Sequence, residues 1–223
     1  MNNKIENIDH IFVICDKNEE SNRFEDIKKW ISLDFDDSYY TIDSYCWGNS
    51  LKADDLIKYN INEKINKGNK SLFLNHIKFF EQILKDFKSG QKILILESDA
   101  IPVENYIEII KEQLNILKDK SWDYLDVGNG CNWTPKKMGH IINENKNDVY
   151  LCKMSRCAHS IIWTYEGIEK FYNFLTSGKI EIKNAIDYSL WEVMDNIETT
   201  VFWGHPFAFK QGSLCGVYKS LNK

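Results

Sequence analysis

The sequence has little of what marks a membrane protein or a nucleic-acid-binding protein. No stretch approaches the roughly 20 apolar residues that a bilayer span needs, and the first residues lack the basic-then-apolar pattern of a signal peptide. We therefore expect a chain without a transmembrane segment and with a cytoplasmic location. The formal net charge of -5 removes the general attraction to phosphate backbones that nucleic-acid binders use, so nucleic acid is not an expected partner.

Prolines are also few, at three in 223 residues, and the sequence contains no repeat and no low-complexity linker. Nothing in the composition therefore marks a domain boundary. A chain of this length can bury roughly 70% of its unfolded surface in one core. Its hydrophobic fraction of 43% is too high for a disordered chain. We expect residues 1–223 to form a single domain.

Two compact signatures of ligand sites are absent as well. The closest pair of the six cysteines, Cys152 and Cys157, does not have the C-x-x-C spacing of a zinc site. We expect the cysteines to be reduced and mostly buried. Neither G-x-x-x-x-G-K-[ST] nor G-x-G-x-x-G occurs, which weakens the alternative of a Mg²⁺-dependent hydrolase or phosphotransferase.

What the sequence does contain is an alternation of strand-like and helix-like segments. The clearest helix covers residues 71–87, where Phe73, Ile77 and Phe80 recur at helical spacing and Gly90 supplies a stop signal. Such alternation indicates an α/β domain whose mixed, mostly parallel sheet carries helices on its faces. The other predicted strands lie near 8–15, 39–45, 93–96, 122–127, 149–154 and 160–164, the other helices near 19–33, 103–117, 165–175 and 186–196, and 48–70 is a loop or short helix.

Two acidic residues stand at the end of the most apolar strand. Glu97 and Asp99 follow the run 93–96, and ligands of open α/β sheets bind beyond the carboxyl ends of the strands. One or two carboxylates, together with phosphate oxygens, hold Mg²⁺ or Mn²⁺ in such places. The structural alternative is that Asp99 caps the next helix, where Pro102 suits the first turn, and that Glu97 merely ends the strand. Spacing alone favours that alternative.

Six groups of residues, in order along the chain, share their pattern with one known family. They are 11–15 with Arg23, 71–77, 93–100, 157–163 with 166–168, 186–190, and Pro206 with 211–213. Together they resemble glycosyltransferase family 25, the lipooligosaccharide and collagen galactosyltransferase-like group. The segment 93–100 is similar to the family's Leu-Glu-Asp-Asp-Ala motif.

The resemblance implies a GT-A type fold, a Rossmann-like nucleotide-sugar-binding domain, and an inverting hexosyltransferase. The expected donor is a UDP-sugar of galactose or glucose, the acceptor is a glycan or protein hydroxyl, and the cofactor is Mn²⁺ or Mg²⁺. By position, Asp99 matches the metal ligand and Glu97 a supporting acid. Ser98 stands where the family usually has an aspartate that contacts the donor ribose or the metal shell. A catalytically impaired relative that binds nucleotides or glycans is therefore the alternative.

The resemblance also suggests a base and a donor contact. Inverting transfer needs a group that takes the proton of the attacking hydroxyl, usually Asp or Glu, and Asp187 matches the family's acid at that point. Its alternative role is an N-cap for the apolar helical segment that follows. Arg23 could pair with the uracil or diphosphate of the donor, whereas the sequence alone favours a surface ion pair.

Residues near the end of the chain and one aromatic residue are further candidates. Gln211 and Ser213 could bind the diphosphate, or they could form a simple β-turn. His205 is a candidate for a third metal or diphosphate contact, although a lone histidine is more often structural. Trp133 could be an acceptor platform or a tryptophan tucked into the domain edge. Two other histidines in matched segments, which this interpretation places near the donor, are His76 and His159.

Overall fold

The computed structural model describes residues 4–141 and 146–219. Within these residues the chain forms nine β-strands and six α-helices. The strands are β1 (His10–Ile14), β2 (Tyr40–Asp43), β3 (Lys92–Glu97), β4 (Ala100–Pro102), β5 (Tyr124–Asp126), β6 (Asp148–Cys152), β7 (Ser160–Thr164), β8 (Val201–His205) and β9 (Phe209–Gln211). The helices are α1 (Ser21–Asp34), α2 (Ala53–Lys58), α3 (Lys67–Asp86), α4 (Tyr106–Ile116), α5 (Tyr165–Leu175) and α6 (Ile186–Asn196).

Seven of the strands form one sheet in the order β2-β1-β3-β7-β5-β8-β6. Five of them run in the same direction, while β6 and β7 run opposite to their neighbours. The fold is therefore α/β with a mixed, mostly parallel sheet, as the sequence predicts, and it is compatible with a Rossmann-like arrangement. The register pairs Glu97 with Ile14, so the carboxyl ends of β1 and β3 meet at one edge of the sheet.

Strand β3 lies between two hydrophobic cores, one on each face of the sheet. It pairs with β1 on one side and β7 on the other, and its apolar residues are fully buried. Successive side chains of a strand point to opposite faces, so Ile93 and Ile95 pack with α3, α5 and α6. Leu94 and Leu96 pack with α1 and α4. This double coverage explains why β3 is a continuous apolar run rather than an alternating one.

Local signals determine where the helices begin and end. The side chain of Asn66 accepts a hydrogen bond from the amide of Asn69 and caps α3, which starts earlier than predicted because of this cap. After α3, Gly90 has a φ of +86°, a left-handed conformation that glycine adopts without strain. The bounds of α5 and α6 agree with the predicted ones. Across the described ranges, no helix combines the length and the apolar character that a bilayer crossing requires.

The segment after Asp99 differs from the prediction in a way that shapes the site. Residues Ala100–Pro102 form β4, and α4 begins at Tyr106 after a left-handed Asn105. Asp99 therefore does not cap a helix, and the structural alternative for this residue is wrong. Strand β4 pairs antiparallel with β9 in a second, two-stranded sheet. This pairing brings the residues after β9 to the end of β3.

Leu94→Ala should lower the free energy of unfolding by about 2–5 kcal/mol, because it leaves a cavity between the sheet and helices α1 and α4. Leu33→Ala on α1 is the matched control, since Leu33 is 78% exposed. The control should change stability by less than about 0.5 kcal/mol. Urea unfolding followed by circular dichroism measures both variants, and equal losses would contradict this packing.

Candidate functional site

An open cavity of about 280 Å³ lies at the carboxyl ends of β1 and β3. Residues 97–99 form its floor, and the amino-terminal ends of α1 and α3 and the loop after β2 form its walls. This is the edge at which α/β sheets usually bind their ligands. The predicted site residues that line the cavity are Arg23, Glu97, Ser98, Asp99, Gln211 and Ser213.

Asp99 is buried at the floor of the cavity, where the segment after β9 holds it. Its Oδ2 accepts hydrogen bonds from the Oγ of Ser213 at 2.5 Å and from the Ser213 amide at 3.4 Å. Its carbonyl oxygen accepts a hydrogen bond from the amide of Gly212 at 2.7 Å. The other carboxylate oxygen, Oδ1, is buried without a hydrogen-bond partner. Such an oxygen costs free energy, so a cation or a donor group placed beside it would be stabilised.

Glu97 is the second acid of the floor, and its partner is a buried histidine. The Nε2 of His76 lies 3.2 Å from the Oε1 of Glu97. Burial lowers the pKa of His76 to about 3, so its ring is neutral at neutral pH and the pair is a hydrogen bond rather than an ion pair. Burial raises the pKa of Glu97 well above its ordinary value, and the carboxylates of Asp99 and Asp187 raise it further. A cation bound nearby would favour the ionised form instead.

Ser98 and Arg23 are bonded to each other. The Arg23 guanidinium donates to the Oγ of Ser98 at 2.8 Å, to the Oε1 of Glu20 at 3.1 Å and to the carbonyl of Lys219 at 2.6 Å. The Oγ of Ser98 in turn donates to Glu20. Arg23 is buried, so the prediction of a surface ion pair is wrong. Sequence reasoning missed Glu20, which precedes α1 and lies beside the position where the family has an aspartate.

One wall of the cavity is formed by residues that the sequence did not single out. Lys67 and Gly68, in the first turn of α3, line the cavity together with Trp47. The first amides of a helix have no carbonyl partner within it, and the positive end of the helix dipole favours anions. The indole of Trp47 adds a flat apolar surface. The only sequence signal for this wall is the cap residue Asn66 ahead of a strongly amphipathic helix.

Asp187 lies in the first turn of α6, beyond the N-cap position, which Ala185 occupies. The alternative role of Asp187 as an N-cap is therefore wrong. Its carboxylate is not part of the cavity wall, but it is close enough to raise the pKa of both Glu97 and Cys157. Burial raises the pKa of Asp187 itself. The fold thus brings Asp187 close to Glu97 although the two are far apart in sequence.

His205 is not brought to the cavity. It ends β8, and strands β7 and β5 separate β8 from β3 in the sheet. The lining of the cavity does not include it, so the geometry does not favour the predicted metal or diphosphate contact, and the proposed site leaves it out. Gln211 and Ser213 do line the cavity. Gln211 is the last residue of β9, and Ser213 lies in the turn that follows this strand.

A second polar group is buried at the carboxyl end of β5. Arg156 donates to the Oδ1 of Asp126 at 3.1 Å and to its carbonyl at 2.8 Å, and both side chains are almost fully buried. The guanidinium also lies 4.7 Å from the ring centre of Trp203. His159 is fully buried near Asp126, which counteracts the lowering of the His159 pKa by burial. Asp99 acts on the His159 pKa in the same direction, so His159 lies near both acids. It does not line the cavity, and its predicted place beside the donor stays a prediction.

The six cysteines are free, as expected. The expectation that most of them are buried is wrong, because only Cys15 and Cys46 are, whereas Cys131 and Cys215 are exposed. The Sγ atoms of Cys131 and Cys157 lie 3.5 Å apart, so this pair links the loop after β5 to the segment before β7.

The described residues contain no group of three or more His, Cys, Asp or Glu side chains that could hold a metal ion. Mg²⁺ and Mn²⁺ in nucleotide sites, however, take only one or two protein carboxylates, and phosphate oxygens and water complete their coordination. Asp99 fits this pattern because its Oδ1 is unpartnered. Glu97 fits it because its carboxylate is close enough to interact with that of Asp99.

No family model matches the chain, and no curated protein sequence matches it. The resemblance to glycosyltransferase family 25 therefore stays a prediction. What the chain does at this site has to be argued from the site's own geometry.

His76 should remain neutral down to at least pH 5, because burial lowers its pKa from 6.5 to about 3. Between about pH 3 and pH 6.5 the unfolded chain binds a proton at His76 and the folded chain does not. This group should therefore lower the free energy of unfolding as the pH falls from 6.5 towards about 3. The loss should approach about 1.4 kcal/mol per pH unit within that window. NMR titration of the ring measures the pKa directly.

The matched variant is His76→Gln, which keeps a hydrogen-bond donor for Glu97 but has no titrating ring. Between pH 6.5 and 4.5, urea unfolding should show a smaller loss of stability for this variant than for the native protein. An NMR midpoint near 6.5, or equal losses in the two proteins, would be inconsistent with a buried neutral His76.

Proposed function

We propose that the chain is a glycosyltransferase of GT-A type that transfers a sugar from a UDP-sugar to a hydroxyl group of an acceptor, with inversion at the anomeric carbon. The observation that carries this proposal is the composition of one open cavity. On one side of it lies the buried Asp99 carboxylate with its unpartnered Oδ1. On the other side lies the amino-terminal end of the 20-residue helix α3. A nucleoside diphosphate between them would meet an anion-binding helix end and a carboxylate-held cation.

The donor is proposed to lie across the floor of the cavity. Its diphosphate takes the end near Lys67 and Gly68, where a cationic side chain and the first-turn amides of α3 favour negative charge. Its uracil lies next to the diphosphate against Trp47, which belongs to the same wall and whose indole supplies a stacking surface. Arg23 is already bonded to Glu20 and Ser98, so its role is to fix the floor rather than to grip a phosphate.

The charges of the cavity agree with a requirement for a divalent cation. Three carboxylates, those of Glu20, Glu97 and Asp99, line it together with the cations of Arg23 and Lys67. A diphosphate would bring further negative charge close to the Asp99 carboxylate, and a bound cation would offset it. Asp99 and Glu97 would hold Mn²⁺ or Mg²⁺, which supplies stabilisation of the negative charge that develops on the diphosphate leaving group.

Asp187 is proposed as the base that receives the proton of the attacking acceptor hydroxyl. It lies near Glu97 without being part of the cavity wall, so an acceptor could approach it from outside the donor pocket. Burial raises the pKa of Asp187, which makes its carboxylate a stronger base than an exposed aspartate. Its oxygen holds the proton while the acceptor oxygen bonds to the anomeric carbon and the diphosphate leaves.

The serine at position 98 is compatible with this chemistry because Glu20 supplies a carboxylate beside it. The Oγ of Ser98 donates to Glu20 while accepting from Arg23. An aspartate at position 98 would bring a second negative charge against Glu20, with one guanidinium to balance both. The acid that the resemblance leads one to expect is thus replaced by an acid from another part of the chain.

A second candidate is a protein that binds the nucleotide sugar without transferring the sugar. The observation that favours it is the position of Asp187 outside the cavity wall. This candidate predicts binding of UDP with Mn²⁺ but no release of UDP in the presence of any acceptor. The two candidates therefore differ in turnover and not in donor binding.

Asp99→Asn should lower the turnover of the preferred nucleotide sugar by about 100-fold or more, because an amide holds a divalent cation more weakly than a carboxylate does. The assay incubates a panel of UDP-, GDP- and CMP-sugars with Mn²⁺ and measures release of the nucleotide. One UDP-sugar should be preferred. Asp119→Asn, at an exposed position after α4, is the control and should keep full activity. Full activity of Asp99→Asn would eliminate the proposed metal site.

Asp187→Asn should reduce transfer by about 100- to 10,000-fold while leaving donor binding intact, because only the base is lost. The control on the same helix is Asp195→Asn, since Asp195 is exposed. In the native enzyme, kcat should fall at low pH with a midpoint above 3.8, because the pKa of Asp187 is raised above that value and the base must be ionised. Single-turnover transfer and calorimetric UDP binding separate the two effects. Unchanged transfer in Asp187→Asn would rule out this role.

A further inference from the structure

Three aromatic side chains gather at α6 outside both hydrophobic cores. Trp133, from the loop after β5, stacks on Trp191 with ring centroids 6.0 Å apart and ring planes inclined by 17°. Tyr188 meets Trp191 at 5.6 Å, nearly at right angles, and is 52% exposed. None of the three belongs to either core cluster. Packing of the sheet against its helices therefore does not account for this group, which we call the aromatic platform.

The aromatic platform lies directly beside Asp187. Asp187 and Trp191 are four residues apart on α6, so their side chains share one face of the helix, with Cβ atoms about 5–6 Å apart. A ring that stacks on Trp191 would therefore place its substituents within reach of the Asp187 carboxylate. None of the three platform residues lines the donor cavity, so the platform is a separate surface.

The loop that carries Trp133 is held in position before any ligand binds. Gly130 approaches the Arg156 carbonyl so closely that an added Cβ would lie 2.4 Å from it. The Sγ of Cys131 contacts the Sγ of Cys157 at 3.5 Å. Because Trp133 stacks on Trp191, one helical turn from Asp187, the anchored loop keeps Trp133 near the proposed base. A preorganised surface loses little entropy when it binds.

We propose that the aromatic platform is the acceptor subsite and that it binds the pyranose ring of a saccharide, whose free hydroxyl then faces Asp187. This inference rests on the proposed function and narrows its acceptor from a glycan or protein hydroxyl to a sugar hydroxyl. The ring of the acceptor packs against an outer face of the stacked Trp133–Trp191 pair, and Tyr188 borders its edge.

The chemistry of the surface favours a saccharide over other flat ligands. One face of a pyranose ring presents C–H groups, which pack against the electron-rich face of an aromatic ring. The indole N–H of Trp191 is buried without a partner. A ligand can therefore contact the ring surface of Trp191 but cannot accept a hydrogen bond from it. Asp187 and Glu97 nearby disfavour a ligand that carries phosphate, such as a second nucleotide. A sugar hydroxyl, in contrast, can donate to Asp187.

The test uses saturation-transfer NMR with lactose and cellobiose as probes, in the full chain with UDP and Mn²⁺ present. The native protein should transfer saturation to the ring protons of at least one sugar. Trp191→Ala and Trp133→Ala should weaken that binding by about tenfold or more, whereas Trp191→Phe, which keeps an aromatic ring, should lose less. Circular dichroism establishes that each variant is folded. Trp47→Ala is the reciprocal variant and should impair UDP binding while sparing the sugar.

The outcomes for the platform and for the donor site are separable. Sugar binding that is unchanged in Trp191→Ala, or that disappears in Trp47→Ala instead, would overturn the acceptor subsite. The acceptor subsite would also be overturned if a native protein that binds UDP showed no saturation transfer to either sugar. In that case the proposed donor site would still be supported. Sugar binding that depends on Trp191 in a protein without affinity for UDP would support the platform and remove the proposed donor site.

Discussion

The pairing of β4 with β9 is the constraint on which the candidate site depends. Asp99 follows the buried strand β3, and Ser213 lies far away in sequence, yet this short antiparallel ladder places the Oγ of Ser213 2.5 Å from the Asp99 carboxylate. A carboxylate buried beside a hydrophobic core would be strongly destabilising without such a donor. The bond satisfies one oxygen and leaves the other, Oδ1, without a partner. The fold therefore fixes the carboxylate in space and leaves part of its binding capacity unused.

Most other charged groups around the cavity are hydrogen-bonded to one another. Arg23 is bonded to Glu20 and Ser98, and Glu97 is paired with a neutral His76. Farther along the sheet, Arg156 and Asp126 neutralise each other in the interior. Asp126 Oδ2 is also buried without a hydrogen-bond partner, but Asp126 does not line the cavity, whereas Asp99 does. A buried polar atom without a hydrogen-bond partner, such as the Oδ1 of Asp99, lowers stability, and such atoms are expected at functional sites.

Much of the fold could be predicted from the sequence because its signals are local. The run 93–96 is apolar without alternation, as expected for a strand covered on both faces, and α5 and α6 have clear helical periodicity. Strands β4, β8 and β9 were not predicted. Two of them are three residues long, and β8 contains Gly204, so they form through pairing with distant partners rather than through their own pattern.

The site could be predicted only where a residue adjoins such a strong local signal. Glu97 and Asp99 could be predicted because they follow the apolar run of β3. The resemblance suggests Ser213 as a diphosphate contact, and the structure places it beside Asp99. Glu20, Trp47 and Lys67 were missed because their approach to the cavity depends on how α1, α3 and the loop after β2 pack on the sheet. The position of His205 depends on packing in the same way, since the strand order separates it from β3 and the geometry does not favour its predicted contact.

The most direct test of the account is electron paramagnetic resonance of Mn²⁺ titrated into the protein with and without UDP. If Asp99 and the diphosphate hold the cation jointly, the six-line signal of free Mn²⁺ should disappear only when protein and UDP are both present. It should persist in Asp99→Asn and disappear as usual in Asp119→Asn. Equal Mn²⁺ binding by native protein and Asp99→Asn, or binding that UDP does not affect, would contradict a nucleotide site built on Asp99.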